Sequence, residues 1–139
     1  MMRVLFFWIC CASAALNAQT HELLVSFEGA SKYPTRIAYE ILDKEGVSIQ
    51  VGFFEIENEI AIYTIDAGVA EKAFAVQVYE DANNNSKLDR GFFGQPVEKY
   101  AFSNDAWAVL SKPDIKEMIV QPMGKGTRMH FVLKSVTDF

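Results

Sequence analysis

From residue 21 onward the chain is written in short stretches where apolar and polar residues alternate with a period of two, separated by turn residues. That rhythm suits strands with one buried face, because a helix would need its apolar positions three and four apart. Residues 21–28 set Leu23, Val25 and Phe27 against Glu22, Ser26 and Glu28, and residues 36–43 set Ile37, Tyr39 and Ile41 against Arg36 and Glu40. Residues 72–81 give the strongest strand, with Phe74, Val76 and Val78 on one face. Residues 51–57 and 60–66 read as a hairpin across Asn58-Glu59, and 117–123 and 127–136 as the last two strands. In the last of these Met129, Phe131 and Leu133 face inward, with Arg128, His130 and Lys134 outward. Seven such segments and no long amphipathic helix predict a two-layer antiparallel β-sandwich, all-β and immunoglobulin-like or transthyretin-like. Single helical turns fit at 67–73 and 105–110.

The first eighteen residues break the pattern. Arg3 precedes an apolar and small-residue run over residues 4–16, with no acidic residue before Glu22. This is the layout of an export signal, cut after Ala18 to leave residues 19–139 as a single secreted or periplasmic domain. The run is shorter than the roughly twenty residues that a membrane span needs. Cys10 and Cys11 both fall inside it, so the mature domain has no cysteine and relies on a filled core or a metal rather than disulfides. Loss of Arg3 leaves 12 basic against 18 acidic residues, a net charge of −6. With no basic cluster, nucleic acid is a poor partner, and an extracytoplasmic protein or glycan is the expected one.

Residues 81–89 put oxygen-bearing groups at every second position: Asp81, Asn83, Asn85, the backbone carbonyl of Lys87, and Asp89. Hard Ca²⁺ takes six to eight such oxygens, and helix–loop–helix calcium sites use this spacing. Ser86 stands where those sites have a turn-relieving glycine, and Phe92 where they have a bidentate glutamate; Glu98 closes the shell if the loop folds back. The competing reading is an Asn-rich turn whose side chains bond their own backbone.

The stretch 74–81, then Asn83, Asn85, Lys87-Leu88-Asp89, then Gly94, Pro96, Glu98, Tyr100, Phe102, Ser103 and Asn104, resembles the bacterial family called domain of unknown function 2141. Pro113 and residues 115–120 resemble its C-terminal part. The resemblance implies an exported β-sandwich protein with no assigned activity. The chain departs from the family's pattern at Glu80, where histidine is common, and at Ser86, where glycine is common.

Gly94 and Pro96 read as a rigid turn. Phe92, Phe93, Tyr100, Phe102 and Trp107 read as a satellite core under a long connection, or as an aromatic ligand platform. Ser103-Asn104 reads as a turn cap. Catalytic machinery is thin. The two histidines, His21 and His130, stand apart from any nucleophile, and zinc would want ligands that this chain lacks. The reading is a non-enzymatic binding or structural module with a weak calcium loop over 81–98. The alternative is a small glycosidase-like hydrolase using Asp89 and Glu98, with Asp81 nearby.

Overall fold

The computed structural model describes residues 21–68, 72–108, 111–124 and 126–138. The expected export signal and its expected cleavage site, residues 1–18 and Ala18/Gln19, lie outside the described residues. Among the described residues, seven strands form two sheets. They are β1 (His21–Glu28), β2 (Thr35–Asp43), β3 (Ser48–Ile56), β4 (Tyr63–Ala67), β5 (Phe74–Glu80), β6 (Tyr100–Phe102) and β7 (Gly126–Val132). One sheet runs β4-β1-β7 and the other β3-β2-β5-β6. Their inner faces share one core of Leu23, Val25, Phe27, Ile37, Ile41, Phe74, Val76, Val78, Phe131 and Leu133, as the alternation predicts.

The chain departs from the sequence reading in four places. Residues 51–57 and 60–66 are not a hairpin: β3 pairs with β2, whereas β4 pairs with β1 in the other sheet. Asn58 turns the chain between sheets by accepting the N–H groups of Ile60 and Ala61 through Oδ1, and the Glu57 N–H donates to the Tyr63 hydroxyl. Residues 117–123 are not a strand. The short helix α1 (Ile115–Met118) starts where the Asp114 carboxylate accepts the Lys116 N–H, and only Val120 bridges to Phe74. The missing strand is β6, three residues long, on the edge beyond β5. The last strand also runs parallel to β1, with Phe27 beside Phe131, so the three-stranded sheet is mixed. Of the helical turns expected, 103–105 carries a 3₁₀ turn slightly ahead of its predicted place. The 67–73 and 105–110 segments fall partly outside the described residues.

Beneath α1, Met118 packs on Leu42 and Ala75 from the outer face of the four-stranded sheet. Ser103 pins this corner: its hydroxyl accepts the Val76 N–H and donates to the Met118 carbonyl. Asn104 works through its amide nitrogen, donating to the carbonyls of Glu117 and Ile119. These bonds clamp α1 at one end of the outer face and leave the other end to the long connection between β5 and β6.

Candidate functional site: the loop between β5 and β6

The loop leaves β5 through Asp81, which is fully buried. A buried carboxylate needs donors, and the alternating sequence supplies them by curling the loop around it. Its Oδ1 accepts the Asn85 N–H at 3.0 Å, its Oδ2 accepts the Ser86 N–H at 3.0 Å, and Arg36 Nε stands 3.6 Å from Oδ2. The curl forces left-handed backbone at Asn84 (φ 57°) and Ser86 (φ 62°). The position where the resemblance has glycine is therefore one where glycine would relieve strain. Ser86 recovers part of that cost by accepting a hydrogen bond from Arg36 Nη2 at 2.8 Å.

The loop does fold back. The Val97 N–H donates to the Asp89 carbonyl, and Glu98 receives the N–H groups of Ala82 (3.2 Å) and Asp89 (3.1 Å) on its two oxygens. Burial pushes the Glu98 carboxyl above the ordinary glutamate range, with the Asp89 and Asp81 carboxylates adding to the rise and the two N–H groups offsetting part of it. Asp81, Asp89 and Glu98 thus lie around one turn of chain.

The amides tell the other half. Asn83 and Asn85 aim their Nδ2 groups at the two Asp89 oxygens, and their own carbonyl oxygens accept the N–H groups of Asn85 and Lys87. Among the described residues no three His, Cys, Asp or Glu side chains converge as a metal-holding group. Carboxylates alone do not make a shell here. Asn83, Asn85 and the Lys87 carbonyl would have to complete it, after the two amides turn their oxygens toward Asp89.

Beyond Asp89 the chain forms a tight tip. Arg90 bridges to Pro96, Gly91 and Gln95 share a backbone hydrogen bond, and Gly94 adopts φ 79°. Phe92 and Phe93 cross edge to face at this tip and stand 96% and 88% exposed, so they are not the satellite core that the sequence suggested. Tyr100 and Trp107 do stack, at 4.9 Å and 12°, with Phe102 edge-on to Tyr100.

The tip and β6 wall an open groove of about 720 Å³ on the outer face of the four-stranded sheet. Strand register places Tyr79 beside Tyr100, and Gln77 between Glu40 and Phe102. Gln77 Nε2 donates to the Glu40 carboxylate at the groove floor, and Leu88, Arg90, Phe93 and Pro96 come from the loop. Burial raises the Tyr79 hydroxyl above its ordinary range, with Asp81 and Glu98 adding to the effect. Sequence reasoning singled out Tyr100, Phe102 and Phe93 and missed Glu40, Gln77, Tyr79 and Arg90. Alternation marks Glu40, Gln77 and Tyr79 as outward, but only register shows that they meet.

The histidines are structural in placement. His21 is buried and bonds Thr127 Oγ1 at 2.7 Å, and His130 bonds Ser26 at 2.9 Å on the exposed face. The Ser103 hydroxyl is taken up by the Val76 N–H and the Met118 carbonyl. Asp89 and Glu98 do not face one another across the groove, whose lining includes neither. No helix among the described residues is long and apolar enough to cross a membrane.

The family model described as an uncharacterized protein conserved in bacteria (DUF2141) matches residues 27–130, well over half of the chain. No curated protein and no solved structure matches it.

Proposed function

The chain belongs to the DUF2141 family of proteins conserved in bacteria, and on that premise we propose that it is an exported, non-enzymatic binding module. Its ligand groove is walled by a loop that takes Ca²⁺ weakly. One observation carries the reading: a single folded-back loop brings the Asp81, Asp89 and Glu98 carboxylates within electrostatic reach of one another and also lines the groove with Leu88, Arg90, Phe93 and Pro96. Ordering that loop orders the groove wall.

Export rests on the first eighteen residues, with Arg3 ahead of an apolar run and a small-residue end. Intact-mass analysis of the exported protein should give a chain beginning at Gln19. A full-length mass, or a lipid adduct on Cys10 or Cys11, contradicts export by this signal.

The groove chemistry favours a glycan over an apolar ligand. Its volume suits a few sugar units, since ligand pockets span roughly 300–1,000 Å³. Tyr79, Tyr100 and Phe102 offer rings for the C–H faces of sugars, while Glu40, Gln77 and Arg90 offer planar polar groups for paired hydroxyls. No observation favours the hydrolase: Glu98 is held by backbone N–H groups and Asp89 by two amides, with neither set in the groove.

A glycan array probed with labelled protein in millimolar calcium tests the reading. Binding is expected to weaken at least tenfold in Gln77→Ala, whose side chain lies on the sheet's outer face, and to fall when calcium is chelated. Absence of any bound glycan, or binding indifferent to Gln77→Ala, contradicts it.

A further inference from the structure

Two phenylalanines stand side by side at the tip of the β5–β6 loop, open to solvent. Phe92 is 96% exposed and Phe93 88%, and their rings meet edge to face at 5.2 Å. Val97, on the return side of the same turn, is exposed as well. Phe93 lines the groove but Phe92 does not, so a ligand held in the groove leaves Phe92 unexplained. A lone exposed apolar side chain is ordinary; two adjacent rings held out by a rigid turn are not. The turn is rigid because it bonds to itself. The Gly91 N–H donates to the Gln95 carbonyl at 2.8 Å, the Gly94 N–H to the Gly91 carbonyl at 2.9 Å, and the Phe93 N–H to Gln95 Oε1 at 3.0 Å. Arg90 Nη1 closes it on the Gly94 carbonyl at 2.8 Å.

We propose that this tip inserts into an anionic lipid surface, with Phe92 and Phe93 as the inserting groups. Three observations select a bilayer over a protein pocket. The first is the backbone. Lipid offers no hydrogen-bond partners, so a segment that enters it must satisfy its own polar groups. The Gly91, Phe93 and Gly94 N–H groups and the Gly91, Gly94 and Gln95 carbonyls all do so within the turn. A peptide partner is normally met by open backbone groups instead.

The second is charge. Lys87 and Arg90, both exposed, flank the rings, while the Asp89 carboxylate between them is turned onto the Asn83 and Asn85 amides. On a chain with 13 basic against 18 acidic residues, this end carries the sign that anionic headgroups attract, so approach is tip first. The third is shape. The turn stands clear of its surroundings: a Cβ added at Gly94 would meet nothing within 4 Å. The rings would reach roughly 5–10 Å into the boundary between headgroups and acyl chains, as interfacial anchors do, with the two cations left among the headgroups. Such an attachment is peripheral and reversible. It stands apart from the calcium and glycan readings and uses neither.

Vesicles of phosphatidylethanolamine and phosphatidylglycerol, which carry no glycan, test it on the protein purified after export. In Phe92→Trp the introduced indole should shift its emission to shorter wavelength and be quenched by lipids brominated in their acyl chains, with wild type giving the background from Trp107. In flotation with the same vesicles, Phe92→Ser with Phe93→Ser should bind at least about tenfold more weakly than wild type, less than full burial of two rings would give. Lys87→Ser should weaken binding about fivefold, a surface lysine being worth about 1 kcal/mol against an anionic leaflet. Ile60→Ser, also highly exposed but off the tip, should bind as wild type does. All of these positions are exposed, and an unchanged circular dichroism spectrum keeps the comparison to folded protein. An unquenched indole in Phe92→Trp overturns the proposal. So does equal binding by wild type and the double serine variant, an equal loss in Ile60→Ser, or binding as tight to phosphatidylcholine alone.

Discussion

Replacing Phe131 with alanine is expected to remove about 3–5 kcal/mol of stability, the range for a large aromatic truncated in a core that cannot collapse around the gap. Phe131 is 1% exposed, and its ring stacks on Phe27 at 5.5 Å and 17°. It comes from β7, and Phe27 sits beside it on β1 and touches Phe54 of the facing sheet at 5.5 Å. The substitution therefore empties the space between the sheets and loosens the inter-sheet contact that Phe27 makes. Domains of this size hold about 5–15 kcal/mol in all, so the loss is about a fifth or more of the total. The melting temperature should fall by on the order of 10–20 °C. His130→Ala, on the opposite face of the same strand, should stay within about 0.5–1 kcal/mol. A melt of Phe131→Ala within a few degrees of wild type would mean that this core is not the one described.

The second large effect is expected at Asp81, where alanine should cost about 1–3 kcal/mol in urea denaturation. The carboxylate is fully buried; its loss takes the acceptor from the Ser86 N–H and leaves the Asn85 N–H with Asn83 Oδ1 alone. A fully buried donor left without a partner costs roughly 1–3 kcal/mol, and these two, on exposed residues, cost toward the low end of that range. The Arg36 contact adds little, because Arg36 is partly open to solvent and can turn to water. Asp81→Asn keeps one acceptor oxygen and should lose about half as much. Asp105→Ala, in an exposed pair with Lys134, should change stability by less than about 1 kcal/mol. Equal effects of Asp81→Ala and Asp105→Ala would show that the loop is not built around a buried carboxylate.

What could be read in the sequence followed from burial. β1 occupies residues 21–28 because Leu23, Val25 and Phe27 are all buried on one side, and β5 holds Phe74, Val76 and Val78 for the same reason. Periodicity says which face is wet and nothing about which strand lies alongside. Hence the supposed hairpin at Asn58-Glu59 is a crossing between sheets, and β7 meets β1 in parallel. Three residues are too few to show a period, so Tyr100-Ala101-Phe102 passed as part of a loop. Residues 117–123 looked strand-like because Met118 and Val120 are apolar, yet Met118 is buried from a helical turn against the outer face. In the loop, the oxygen ladder was visible, and so was the need for Glu98 to return. The direction of the Asn83 and Asn85 amides was not, because an amide can present either end to its neighbour. The exposure of Phe92 and Phe93 was invisible for a related reason, since aromatic residues are read as buried unless the turn that displays them is seen.

In the proposed function, calcium binding organises the 81–98 loop. It has a built-in pH sign. The raised Glu98 carboxyl holds its proton more readily in the folded state than in the unfolded chain. Its contribution to stability is therefore present below the ordinary glutamate value and is lost as pH rises through the raised folded value. Calcium works in the opposite sense, gaining a carboxylate as that proton leaves. Affinity should be weak, about 10⁻⁴–10⁻³ M, since Asp89 must exchange two amide donors for the ion. At a free concentration about ten times the dissociation constant, binding stabilises the fold by roughly 1.4 kcal/mol, a rise of several degrees. The most direct measurement is the thermal melt of the purified protein in millimolar calcium and in chelator, at pH 7.5 and near pH 5. Wild type and Asp105→Ala should melt several degrees higher with calcium at pH 7.5, less so near pH 5, and Asp89→Ala should show no rise at either pH. Identical melts in calcium and chelator, or an equal rise in Asp89→Ala and Asp105→Ala, would contradict the claim and leave the loop as an asparagine-rich turn.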